Sequence, residues 1–227
     1  MSDLLIFGNG EIAKLASTFV ENYTKFKVHG FVVDNLDKNS DQFFNNKKII
    51  LSKDIDKFPS NKFSMFVALS YRKLNKLRAD KFLFFKKKGY KFVNLIHPNN
   101  NIGKNVTFGE NNFIFENQTI QDNVKIKDNV ILWSSNHIGH SSTIESHVYI
   151  SSHVVISGHV KVGSYSFLGV NSAIADFCSV GKECFVGMGS CINKNLKDGV
   201  VSINKSTKFL EADSKLSKII KKKYFKL

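Results

Sequence analysis

From Ile102 onward a large apolar residue returns every six positions, sixteen times without a slip: Ile102, Phe108, Ile114, Ile120, Ile126, Leu132, Ile138, Ile144, Ile150, Ile156, Val162, Leu168, Ile174, Val180, Val186 and Ile192. Four residues after many of these comes a small or β-branched residue, as at Val106, Val124, Val130, Val148, Val154, Val160, Ser166, Ser172, Cys178, Cys184 and Ser190. A helix cannot use this pattern, because its apolar face returns every three to four residues and β-branched side chains crowd it. A sandwich of short strands has irregular turns and would lose the phase.

A parallel β-helix satisfies it. If each hexad makes one short strand, three hexads close a triangular coil of about eighteen residues, and sixteen hexads make a little over five coils. Residues eighteen apart then stack at the inter-strand spacing of roughly 4.8 Å. The anchors form an internal column, with the cysteines in or beside the small-residue column. Glycine often follows the anchor, as at Gly103, Gly109, Gly139, Gly163, Gly169, Gly181 and Gly187, and this reading gives those glycines the corner conformations.

The segment before the hexads has a different grammar. Leu4 to Phe7 reads as a buried strand, GNGEIAKLA as a glycine turn entering a helix, and VHGFVVDN as a second strand ending at Asp34. That is the opening of a Rossmann-like α/β unit. The third glycine of a dinucleotide fingerprint is replaced by Ala13, which weakens an NAD assignment. SYRKLNKLRADKF, from Ser70, reads as a helix carrying Asn75 and Arg78 one turn apart; Arg78 is either a diphosphate ligand or part of a solvated face. The expected organisation is a Rossmann-like domain over 1–97, a parallel β-helix of hexapeptide repeats over 98–206 and a basic tail over 207–227.

Lys plus Arg outnumber Asp plus Glu 33 to 19. This balance suits an anionic partner or reflects a lysine-rich composition. Three cysteines without regular spacing make neither a disulfide framework nor a zinc site and fit a reducing compartment. MSDLLIFGNG lacks a signal-peptide pattern and no run reaches membrane-span length, so the expectation is a cytoplasmic protein. The tail LEADSKLSKIIKKKYFKL reads as an amphipathic helix that caps the coil end or stays solvated, with weak contact to anionic membrane as the sharper alternative.

The histidines separate by phase. His147, His153 and His159 share one hexad position, so within one chain they fall on three different sides of a coil and cannot form a cluster. His140 sits two residues past an anchor, close to a corner, and His137 approaches the same corner.

Together IFGNGEIAKLA at 6–16, FVVDN at 31–35, ALSYRKLNKLR at 68–78, GYKFVNLIHP at 89–98, HIGHSSTI at 137–144 and FLGVNSAI at 167–174 resemble the left-handed β-helix sugar acyltransferases, in particular the sialic-acid O-acetyltransferases and the bacillosamine-pathway nucleotide-sugar N-acetyltransferases. The resemblance implies acetyl-CoA as cosubstrate, a homotrimer with active sites between neighbouring prisms, and His140 as general base. It further implies a nucleotide-sugar acceptor held by Gly8, Gly10 and Asp34, and cofactor contacts at Tyr149, Val170 and Met188. Asn75 and Arg78 on the helix and His137 beside the corner are further acceptor-site candidates, and Gly158, eighteen residues after His140 and stacked on it, would let the cofactor approach closely. No metal and no nucleic-acid partner belong to this reading.

Two departures stand out. Ser141 follows the base where the bacillosamine-type enzymes have glutamate, which makes Asp122, one coil below His140, a candidate orienting carboxylate. Tyr149 stands where those enzymes use histidine. The chemistry is consistent: an amine or hydroxyl attacking a thioester must lose a proton, which a near-neutral histidine can accept. The competing functions are a sugar O-acetyltransferase, a β-helical zinc enzyme of carbonic-anhydrase type, and a non-catalytic trimeric binding module.

Overall fold

The computed structural model describes residues 3–36, 42–205 and 209–225. The N-terminal unit contains β1 (Asp3–Phe7), α1 (Glu11–Tyr23), β2 (Lys27–Val33), β3 (Phe43–Phe44), β4 (Lys47–Leu51), β5 (Phe63–Val67), α2 (Lys76–Lys87) and β6 (Lys91–Phe92). Its sheet order is β3-β4-β2-β1-β5-β6, parallel except for the β3–β4 pair. The central strand β1 is buried, with Leu4, Leu5 and Ile6 at 0% exposure, because helices or the prism cover both faces of a parallel sheet.

The second unit is the left-handed β-helix. Its two-residue strands stack into three parallel sheets of seven, six and five strands, called here the first, second and third faces. Partners are eighteen residues apart throughout most of the stack, as in Thr119 with His137 and Ile120 with Ile138. The anchors from Ile114 to Ile192 point inward and form one buried cluster with the small-residue column. Truncating a central anchor such as Ile150 to alanine would cost about 2–5 kcal/mol. The first rung is Leu95–Ile96, paired with Phe113–Ile114, so the prism begins just ahead of the expected boundary at residue 97.

The corner conformation is not supplied by the glycines after the anchors. The left-handed backbone falls on a different position of the hexad, without a gap from Asn105 (φ 56°) through Ser141 (φ 58°), His147, His153 and His159 to Glu183. Asparagine tolerates this conformation best among residues with side chains, and it occupies many of these sites. His147, His153 and His159 therefore occupy one corner each. The glycines serve close approach instead: a Cβ on Gly139 would lie 2.4 Å from the carbonyl carbon of Ser157 in the next coil.

The two units share a core. Leu4, Ile12, Ala16, Phe19 and Phe66 pack against Leu95, Phe113, Ile131 and Tyr149 of the first face, with Phe113 edge-on to Phe19 and Phe66. Asn111 closes the seam by accepting the Val67 N–H at 2.7 Å.

The tail forms α3 (Lys215–Phe225). Leu216, Ile219 and Ile220 remain exposed while Ser217 is buried, so the helix does not lay its apolar residues over the coil end. Residues 206–208, where the prism and tail were divided, lie outside the described residues, as do 226–227 and the side chains of 224–225. Among the described residues no helix is long and apolar enough to cross a membrane.

Candidate active site

His140 occupies the corner between the second and third faces, two residues beyond Ile138. It borders an open polar pocket of about 510 Å³ lined also by Asn101, Gly103, Thr119, Ile120, Gln121 and Asp122. Its ring lies edge-to-face with His159, centroids 4.9 Å apart, and His159 stacks in turn on Phe177. Its N–H donates to Gln121 Oε1 at 2.8 Å.

Asp122 is turned away from the role expected of it. Its Oδ1 accepts the Lys104 N–H at 2.7 Å, closing the coil below, and it makes no ion pair with His140 among the described contacts. Gly158 stacks directly on His140. The space its missing side chain leaves is filled by the His140 ring, whose Nε2 would lie 2.8 Å from a Cβ there, and its N–H donates to Asp176 Oδ1 at 2.9 Å. His137 is half-buried on the second face beside Thr119, outside the lining of the His140 pocket.

Val170 and Met188 lie on the corner between the first and second faces, at the opposite edge of the second face from His140. They share an apolar groove of about 460 Å³ with Tyr71, Leu74, Ser151, Phe167, Gly169 and Phe185. Tyr149 is not exposed to that groove but buried beside it, 5% accessible. It stacks on Phe167, contacts Tyr71 edge-on and accepts a hydrogen bond from Trp133 Nε1. Burial pushes its phenol up to about 12, so it supports the groove as a neutral ring.

Gly8 and Asp34 line one pocket at the carboxyl ends of β1 and β2, with Asn35, Leu69 and Lys81. Gly10 lines the adjoining one with Asn9, Glu11, Ser70 and Arg72. β1 lies between β2 and β5, so this crevice is the switch point where open α/β sheets bind ligands. Gly8 is obligatory there: its φ is +117° and a Cβ would meet the Ala68 carbonyl oxygen at 2.8 Å. Asp34 is held by Lys81 at 2.7 Å and by Ser52 Oγ at 3.0 Å.

Asn75 and Arg78 are not in that crevice. The helix expected from Ser70 starts only at Lys76, after a left-handed turn over Lys73, Leu74 and Asn75. That turn swings both side chains into the domain seam. Asn75 Nδ2 donates to the carbonyls of Tyr165 and Ser166 at 3.0 and 3.2 Å. Arg78, 0% exposed, donates to the carbonyls of Asn129, His147 and Val148 at 3.1–3.3 Å. Desolvation lowers its pKa to about 9, still charged at neutral pH, and no anion could reach it without opening the seam. Two cations line the crevice instead: Lys81, paired with Asp34, and Arg72, which a helix continuous from Ser70 does not point to. Gln121 also borders the pocket of His140, at the position where the hexads one coil below and above carry Gly103 and Gly139.

Among the described residues no three of His, Cys, Asp and Glu gather as a metal cluster.

The repeats and the coil define the class, a hexapeptide-repeat protein with a left-handed β-helix. The family pattern described as "Bacterial transferase hexapeptide (six repeats)" matches residues 123–158. The fold of the chain, Rossmann-like unit included, is shared with solved structures that include acetyltransferases. The acetyltransferase domain of PglB from Neisseria gonorrhoeae FA1090, solved with acetyl coenzyme A, superposes with a TM-score of 0.77 at 21% identity, over 88% of this chain and 94% of that one. PerB from Caulobacter crescentus, solved with CoA and GDP-perosamine, gives 0.78 at 22% identity over 88% and 93%. WeeI from Acinetobacter baumannii AYE gives 0.59 at 17% identity over 88% and 96%. No curated protein sequence matches the chain.

Proposed function

We propose that the protein is an acetyl-CoA-dependent N-acetyltransferase that acylates the amino group of a nucleotide-linked sugar, with His140 as general base. The observation that carries this reading is the placement of His140 in an open polar corner pocket at one edge of the second face, with an apolar groove at the other. The first suits a sugar amine and the second a pantetheine arm. Support comes from the shared fold of PglB, solved with acetyl coenzyme A, and PerB, solved with CoA and GDP-perosamine.

In this reading Val170 and Met188 contact the cofactor arm, and Tyr149 acts through Phe167 from beneath. Gly8, Gly10 and Asp34 hold the acceptor's nucleotide, with Arg72 taking the diphosphate role first given to Arg78. The His140 pocket and the apolar groove share no lining residue and lie at opposite edges of the second face. Three prisms set side by side would bring the His140 corner of one against the groove of the next, and we infer a homotrimer. The setting is the cytoplasm, in assembly of a bacterial surface glycan such as lipopolysaccharide or capsule.

Chemically, the neutral acceptor amine attacks the thioester carbonyl and the C–N bond forms as the amine proton passes to His140. The tetrahedral adduct then collapses, the C–S bond breaks, and His140 returns the proton to the departing CoA thiolate. Atoms and charge balance without a further cofactor.

The test is CoA release from acetyl-CoA with UDP-, dTDP- and GDP-linked 3- and 4-amino sugars, for wild type and His140→Ala, with products weighed by mass spectrometry. One acetyl gained by the product, with turnover falling about 10²–10⁴-fold in the variant, is expected. Acylation of sugar hydroxyls but not amines would replace the N-acetyl reading, and undiminished turnover by His140→Ala would remove His140 as base.

A further inference from the structure

At several corners the coil-to-coil stack closes a backbone N–H with an aspartate eighteen residues further on, or nearly so. Asp122 closes Lys104 at 2.7 Å, Asp128 closes Glu110 at 2.8 Å, Asp176 closes Gly158 at 2.9 Å and Asp198 closes Lys182 at 2.7 Å. By this pattern the N–H of His140 would be closed by residue 158. That residue is glycine and has nothing to offer.

Two compensations meet at His140. Its N–H is taken from below by Gln121 Oε1 at 2.8 Å, nineteen residues earlier rather than eighteen later. The volume where an aspartate would have stood is occupied by its own imidazole, with Nε2 2.8 Å and Cε1 2.9 Å from the place a Gly158 Cβ would take. One substitution in the corner ladder thus creates the berth for the ring, and one side chain from the previous coil restores the lost backbone bond.

We propose that Gly158 and Gln121 are the positioning residues of His140. Gly158 seats the imidazole over the corner, and Gln121 fixes the backbone from which it projects. The inference rests on the reading of His140 as the base, which Ser141 leaves without an adjacent carboxylate. It predicts a kind of damage that differs from ordinary destabilisation. A methyl group at Gly158 would strike the end of a rotatable side chain, whereas at Gly139 it would strike backbone at 2.4 Å. The ring would move and the coil would stay.

The experiment compares Gly158→Ala, Gln121→Leu, Gln121→Glu and His140→Ala in the full chain, by steady-state kinetics, thermal melting and the imidazole NMR signals. Gly158→Ala and Gln121→Leu should lower kcat by at least about tenfold, since a misplacement of about 1 Å can cost a hundredfold. KM values and melting midpoints should stay near wild type, and the His140 ring signal, assigned by its loss in His140→Ala, should shift. Gln121→Glu keeps an acceptor oxygen and should recover most of the rate. Wild-type kcat and an unmoved His140 signal in Gly158→Ala and Gln121→Leu would overturn the proposal, as would a kcat loss matched by a fall in melting midpoint. If His140→Ala itself keeps full activity, the assignment of the base fails instead, and the NMR shift alone then reports on the seating of the ring.

Discussion

His147 should make the protein acid-sensitive in a defined window. Its side chain is buried at the corner between the third and first faces, 7% exposed. Nδ1 pairs with Asn129 Nδ2 at 2.9 Å, which requires a neutral ring accepting from an amide. Burial, reinforced by the nearby Arg78 guanidinium, lowers its pKa from 6.5 to about 4. The folded pKa is depressed below the unfolded one, so between pH 6.5 and 4 the unfolded chain binds a proton the native chain refuses. Stability from this source is therefore complete above pH 6.5 and is lost as pH falls toward 4. The displacement corresponds to roughly 3 kcal/mol in full, most of it reached by pH 4.5.

The informative variant is His147→Asn. Asparagine occupies the same corner position one and two coils below, at Asn129 and Asn111 with φ near 58°, and Asn111 Nδ2 already donates to Asn129 Oδ1 at 2.8 Å. The substituted amide would extend that ladder without a titrating group. Urea unfolding at pH 7.5 and 4.5, at one protein concentration, should show wild type losing about 2–3 kcal/mol more than the variant across the interval. Carboxylates titrate in both chains, so the difference isolates the imidazole. Equal losses in the two proteins would rule out the buried imidazole as the source of acid sensitivity.

Arg78→Met should destabilise the protein by about 2–4 kcal/mol, because three corner carbonyls lose a charged donor while the guanidinium's desolvation cost is recovered; an unchanged urea midpoint would contradict the role of Arg78 as the clasp between the units. The helix α3 carries five lysines and no acidic residue beside exposed Leu216, Ile219 and Ile220, which predicts weak, salt-sensitive sedimentation with anionic but not neutral liposomes. Deleting residues 214–227 should abolish it, and identical sedimentation of the two chains would show that the tail is not the contact.

The prism was legible in the amino-acid sequence alone. A six-residue apolar period admits only one way of burying sixteen anchors, and the period alone puts His140 close to a corner and His147, His153 and His159 on three different faces of a coil; that these three turn the corners themselves came from the left-handed backbone. The same holds at the crevice, where Gly8 and Asp34 end adjacent strands and had to meet. Packing between the units settled whatever depended on which outer face the first unit covers, because a coil's three faces are equivalent in period. Docking on the first face buries Tyr149, and it draws Asn75 and Arg78 into the seam through a left-handed turn that no helix propensity announces. It was also the stacking of successive coils that turned Asp122 toward Lys104 and put the His140 ring in the space above it. A hexad says which residues share a column, but a side chain's direction within that column depends on whether its neighbour eighteen residues away leaves room.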